Sequence, residues 1–177
     1  IFNMLHRHHQ GFTLIEVAVA VAILVMTFGG VMALIISGKE SKVSGRNNII
    51  TYYLAKEGIS LVNFARNQNY HNSQPAFASL YDENNPYYFL IDYEGMSSIT
   101  EAASSDVKKA EPLNLYNSYY GYSAEPTAVP TSFRRLITTI YHGDATPPYL
   151  DVKVEVYWQE DTKRNTVTLS EELTDWR

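Results

Sequence analysis

Residues 11–36 read GFTLIEVAVAVAILVMTFGGVMALII, and the reading of this stretch decides the architecture. Twenty consecutive residues, Val17 to Ile36, carry no charge. A helix of that length rises about 30 Å, the thickness of a bilayer's hydrocarbon core. Apolar residues fall on every face, unlike the one-sided stripe of a soluble amphipathic helix, so a membrane span is favoured over a buried core helix. A secretory signal has a shorter apolar region followed by small residues at a cleavage site. Here the run is longer and continues into Ser37-Gly38-Lys39-Glu40-Ser41. Glu16 is the anomaly, because an acid inside a span costs roughly 2.5–3.5 kcal/mol on insertion scales. Either it awaits a partner, or it reaches the headgroup layer, or it is a first-turn carboxylate favoured by the helix dipole.

Gly11-Phe12-Thr13-Leu14-Ile15-Glu16-Val17, followed directly by the apolar run, closely resembles the class III signal of type IV pilins and pseudopilins. The resemblance covers residues 11–36. It implies that a prepilin peptidase cuts between Gly11 and Phe12 on the cytoplasmic side and that Phe12 becomes the N-methylated first residue. Elementary chemistry agrees with it. Glycine has no Cβ, so an extended backbone comes close to a protease. A cut before the span removes the leader and keeps the anchor. Within one helix Glu16 lies about 6 Å by rise from the new amine, and the family pattern pairs that glutamate with the amine of a neighbouring subunit. Breaking such a buried pair strands one charge, at about 3–5 kcal/mol.

Glu-Val-Ala-Val-Ala-Val-Ala-Ile-Leu is similar to the minor pilin and minor pseudopilin type, and no Pro precedes Pro75. Gly29-Gly30 offers either a soft point in the helix or a site of close helix packing. The implied partners are prepilin peptidase, other pilin subunits, and indirectly an assembly platform and its ATPase. The implied location is the cytoplasmic membrane, single-pass with the head outside, and then an extracellular or periplasmic filament. Charge runs against that orientation: Arg7 is the one firm cation of the leader, while Lys39, Lys42 and Arg46 lie beyond the span. The chain opens on Ile1, and Met4 offers a start that would give a short leader. The rival class is a permanently anchored single-span protein with a binding or adhesive head.

Beyond the span, Ile50, Leu54, Gly58, Leu61 and Ala65 recur at helical spacing, with Tyr53 and Val62 beside them and Lys56, Glu57 and Arg66 largely elsewhere. This predicts a helix from Phe12 to about Asn67, roughly 84 Å long, with bends at Gly38 and Gly45. Its stripe needs a covering layer. Asp151–Gln159 alternates Val152, Val154, Val156 and Trp158 with Lys153, Glu155 and Tyr157; Val167 and Leu169 alternate with Thr166, Thr168 and Ser170; Phe133–Tyr141 is β-branched and aromatic. Residues 143–148 and 160–165 connect them with turn chemistry. The expected fold is α+β: a long N-terminal helix packed on a C-terminal antiparallel meander. Further strands are expected at Tyr87–Tyr93 and around Tyr119–Tyr122. The expected organisation is leader 1–11, transmembrane and assembly helix 12–36, exported helix half 37–68, and head 69–177.

Residues 70–130 are dense in Tyr, Asn, Ser and Pro, suited to an adhesive or subunit-contact surface but more often an ordinary variable loop region of an exported domain; no motif names a surface or DNA ligand. A formal net charge of −5 argues against a general nucleic-acid binder. Without cysteine there is no disulfide, thiolate metal site or cysteine nucleophile. Gly38-Lys39 lacks the rest of a phosphate loop, with Ala33 at the first glycine position and Glu40 in place of Ser or Thr. His71 and His142 read as isolated loop residues, and Asp82-Glu83 and Glu171-Glu172 as solvated surface without calcium-loop spacing. The His6-Arg7-His8-His9 cluster falls in the expected leader. No enzyme, cofactor or metal is expected.

Overall fold

A computed structural model describes residues 13–82, 86–93, 100–122, 126–160 and 163–175, with the side chain of residue 40 left out. Gly11 and Phe12, and with them the expected cleavage and methylation positions, lie outside the described residues. One helix, α1, spans Leu14–His71, 58 residues. A first compact unit ends at Gly45 and a second begins at Arg46. Helical structure continues through Gly38 and Gly45, where bends were expected. Its C-terminus lies four residues beyond the expected Asn67. There Ser73 takes a left-handed φ of 57°, with Ser73 N–H donating to Tyr70 O and Gln74 N–H to Asn69 O, a Schellman closure just before Pro75. Asn69, two residues past the expected end, is 1% exposed and donates from Nδ2 to Ala76 O and Ala78 O at 3.0 and 2.9 Å.

The buried stripe of the second unit's helix is rotated slightly from the expected one. Leu54, Ala55, Gly58, Ile59, Val62 and Ala65 face inward, while Tyr53 is 64% exposed and Ile50 and Leu61 are half-buried. Arg66, expected off this face, is buried because its guanidinium donates to Thr174 O at 3.3 Å.

The covering layer is one antiparallel sheet of β1 (Tyr87–Leu90), β2 (Thr100–Glu101), β3 (Pro112–Tyr116), β4 (Tyr119–Gly121), β5 (Val129–His142), β6 (Tyr149–Glu160) and β7 (Lys163–Thr174). β5 is its hub. On one side β3 pairs with its first half and β1 with its second; β6 lies on the other side and β7 beyond it. The expected meander is β5–β6–β7, with the connection at 143–148 as read. The second connection is shorter than read, since the β6–β7 ladder runs as far as Glu160↔Lys163. The short early strands start where expected but end sooner, at Leu90 and Gly121.

Val152, Val154, Val156 and Trp158 pack inward against α1 with Phe89 and Ile137, each buried aliphatic side chain contributing about 1.5–3 kcal/mol. Tyr157, assigned to the solvent face, is 6% exposed. A short helical turn, Val107–Lys109, and its flanks cover that end of the outer face, so Tyr157 packs with Leu90, Val107, Ala110 and Leu136 in a second small core.

Candidate functional site

The described part of the N-terminal site starts at a helix cap. Thr13 Oγ1 accepts from Glu16 N–H at 3.3 Å, and Thr13 O accepts from Glu16 and Val17 N–H. Thr13-Leu14-Ile15-Glu16 has the Thr-x-x-Glu spacing of a capping box, and Glu16 sits in the first turn of α1. Both the orphan N–H groups and the helix dipole favour an anion there.

Behind this cap, every described side chain from Leu14 to Lys39 is exposed, including Leu14 (89%), Met26 (78%) and Leu34 (74%). Monomeric soluble surfaces do not carry an apolar collar of this extent unless something covers it. Thr27, the one hydroxyl inside the run, donates back to Ile23 O and Leu24 O at 3.0 and 2.8 Å, so it brings no unmet polar group into lipid. The helix is long and apolar enough to cross a membrane.

A buried charge in the second unit escaped the sequence reading. Arg135 on β5 is fully buried, donating from Nη1 to Leu54 O (3.2 Å) and from Nη2 to Ile91 O (2.6 Å), with Glu57 Oε2 3.7 Å away. One guanidinium thus joins α1, β5 and the end of β1. Gly58 makes room for it: a Cβ there would lie 2.8 Å from Val154 Cγ1 and 3.2 Å from Arg135 Cδ. Tyr122 donates its hydroxyl to Arg135 O, and Asp92 Oδ2 accepts from Tyr122 N–H. Burial pushes the Glu57 carboxyl above its ordinary value, which the Arg135 charge partly offsets and Asp92 reinforces. Burial likewise raises the Tyr122 phenol. The cluster is a clasp between helix and sheet.

The isolated histidines are placed differently from each other. His71 is the exposed last residue of α1. His142 ends β5 rather than lying in a loop, 3.0 Å from Asp151 Oδ2 and stacked on Tyr149. Glu171 and Glu172 point to opposite faces of β7; Glu171 accepts from Asn63 Nδ2 at 3.4 Å, and Glu172 stands across the ladder from Asp151.

No curated protein and no solved structure matches the chain. Residues 6–32 match the family model described as the prokaryotic N-terminal methylation motif. That motif, together with the uncovered apolar helix behind it, fits a membrane-anchored, single-pass subunit of pilin or pseudopilin type.

Proposed function

We propose that the chain is the precursor of a minor pilin or minor pseudopilin. It is held in the cytoplasmic membrane by residues 12–36, cut by prepilin peptidase between Gly11 and Phe12, methylated on Phe12, and built into a filament through α1. Residues 37–68 are the exported half of the helix and 69–177 the head. The observation that carries this reading is the methylation-motif match over residues 6–32, which runs into an apolar helix whose described side chains from Leu14 to Lys39 are all exposed. Glu16 is the assembly residue: its carboxylate, already in a positive first turn, pairs with the amine exposed on a neighbouring copy, and a copy out of register leaves both charges in oil. The minor type is supported by a helix that runs through Gly29-Gly30 without proline. No catalytic step is assigned to the chain.

The test is mass spectrometry of the protein isolated from its own cells. A chain beginning at N-methylated Phe12 is the expected result, and retention of residues 1–11 overturns the proposal. Gly11→Ala should keep the leader, and Glu16→Ala should be processed yet stay in the membrane fraction. A permanent anchor with a binding head tolerates both changes.

A further inference from the structure

We propose that β7 pairs edge to edge, antiparallel, with β7 of a second copy, joining molecules carried on facing surfaces into one continuous sheet. β7 is twelve residues long, contains no proline, and pairs with β6 in a register that never shifts. Among the described residues no strand pairs with its other edge. Every second residue there turns its N–H and C=O outward, a template for another strand.

The side chains choose the partner. The middle of the strand, Asn165–Ser170, is uncharged, and its ends carry opposite signs: Lys163 and Arg164 at one, Glu171 and Glu172 at the other. Edges guarded against association carry charges that repel a second copy; this one is self-complementary when reversed. A two-fold axis perpendicular to the sheet keeps each side chain on its own face, so only residues of equal parity can stand opposite. Centring the axis on Thr168 sets Arg164 opposite Glu172, Thr166 opposite Ser170, and Val167 opposite Leu169. Centring it on Val167 instead sets Lys163 opposite Glu171, whose carboxylate already accepts from Asn63, and leaves Arg164 opposite Ser170 and Glu172 without a cation.

Within one molecule these two charges are poorly served. Arg164 stands across from Gln159, and Glu172 across from Asp151, a like-charge neighbour already engaged by His142. Among the described residues neither Arg164 nor Glu172 makes an ion pair. A second copy gives each its counter-charge at both ends of the strand.

The same axis reverses every direction in the plane of the sheet. The stretches of α1 packed on the two sheets therefore lie on one common face and run antiparallel. Copies side by side in one membrane or filament run parallel, so the pairing joins copies presented from opposite sides. The pairing stands on β7 alone; only its placement between facing surfaces rests on the anchored-subunit reading.

The chain has no cysteine, so single replacements report the contact directly. In the full chain in detergent micelles, Thr168→Cys, which meets itself on the axis, should form a disulfide dimer at least fivefold faster than Ser60→Cys on the exposed side of α1. Adding Arg164→Glu or Glu172→Arg to Thr168→Cys should each slow that reaction at least fivefold. An equimolar mixture of the two double variants should recover it, since the mixed pair has an acid–base couple at both ends. Cross-linking no faster than through Ser60→Cys, or a mixture that fails to recover, overturns the proposal whatever the state of the N-terminus.

Discussion

Gly58 and Arg135 are the residues on which the helix–sheet contact turns, because the missing Cβ and the buried guanidinium occupy the same space. Gly58→Ala is expected to lower stability by about 1–2 kcal/mol, the overlap with Val154 outweighing the better helix propensity of alanine. Gly45→Ala, whose Cβ meets nothing within 4 Å, should leave stability unchanged or raise it by up to about 1 kcal/mol. Urea midpoints moving in the same direction for both would sink this account. Glu57 yields a pH prediction from the same contact. Its folded-state pKa lies above the ordinary 4.5, so its contribution to stability is fully present below that value and is lost as pH rises through the raised one. Stability measured from pH 4 to 7 should show this decline, and Glu57→Gln should remove it; a variant with an unchanged profile excludes it. Little of this clasp was legible. Arg134-Arg135 are neighbours on a strand, so one must point inward, but alternation alone does not say which when the run Phe133–Tyr141 is apolar on both faces.

At the scale of elements, strong periodicity was readable and side-chain exceptions were not. The β6 alternation predicted the inner face correctly through Val152, Val154, Val156 and Trp158, while Tyr157 went to the wrong environment because the turn at 107–109 that covers it has no pattern of its own. The helix end was misplaced for a related reason. Asn67-Gln68-Asn69 is a poor helix former taken locally, and only the tertiary contacts of Asn69 with Ala76 and Ala78 make the last turn worthwhile. Asn69→Ala should therefore cost about 1–3 kcal/mol by stranding two carbonyls and should free the segment after α1. Hydrogen exchange is the measurement: faster exchange at Ala78 and Leu80, whose N–H groups donate to Pro75 O and Phe77 O, is the expected result, and unchanged protection there refutes it.

At the scale of the whole molecule, the two compact units differ in what stabilises them. The first is a helix whose described side chains from Leu14 to Lys39 are all exposed, as suits a covering of lipid or of other chains. The second buries its own core, and that core draws on no described side chain before Ile50. The apolar helix was legible because Val17 to Ile36 carries no charge, whereas the head had to be inferred from strands whose partners lie far away in sequence. The division also predicts an independent fold. A chain beginning at Arg46 should express as a soluble protein and keep its cooperative urea transition. Its unfolding free energy should match that of the detergent-solubilised full chain within about 0.5 kcal/mol, as for changes remote from a core. Far-UV circular dichroism should show the β-sheet intact and the helical signal reduced by the part of α1 removed. A truncated chain that aggregates or loses cooperativity would mean that the first unit contributes to the head's stability. Glu16 could not then be read as acting between molecules alone.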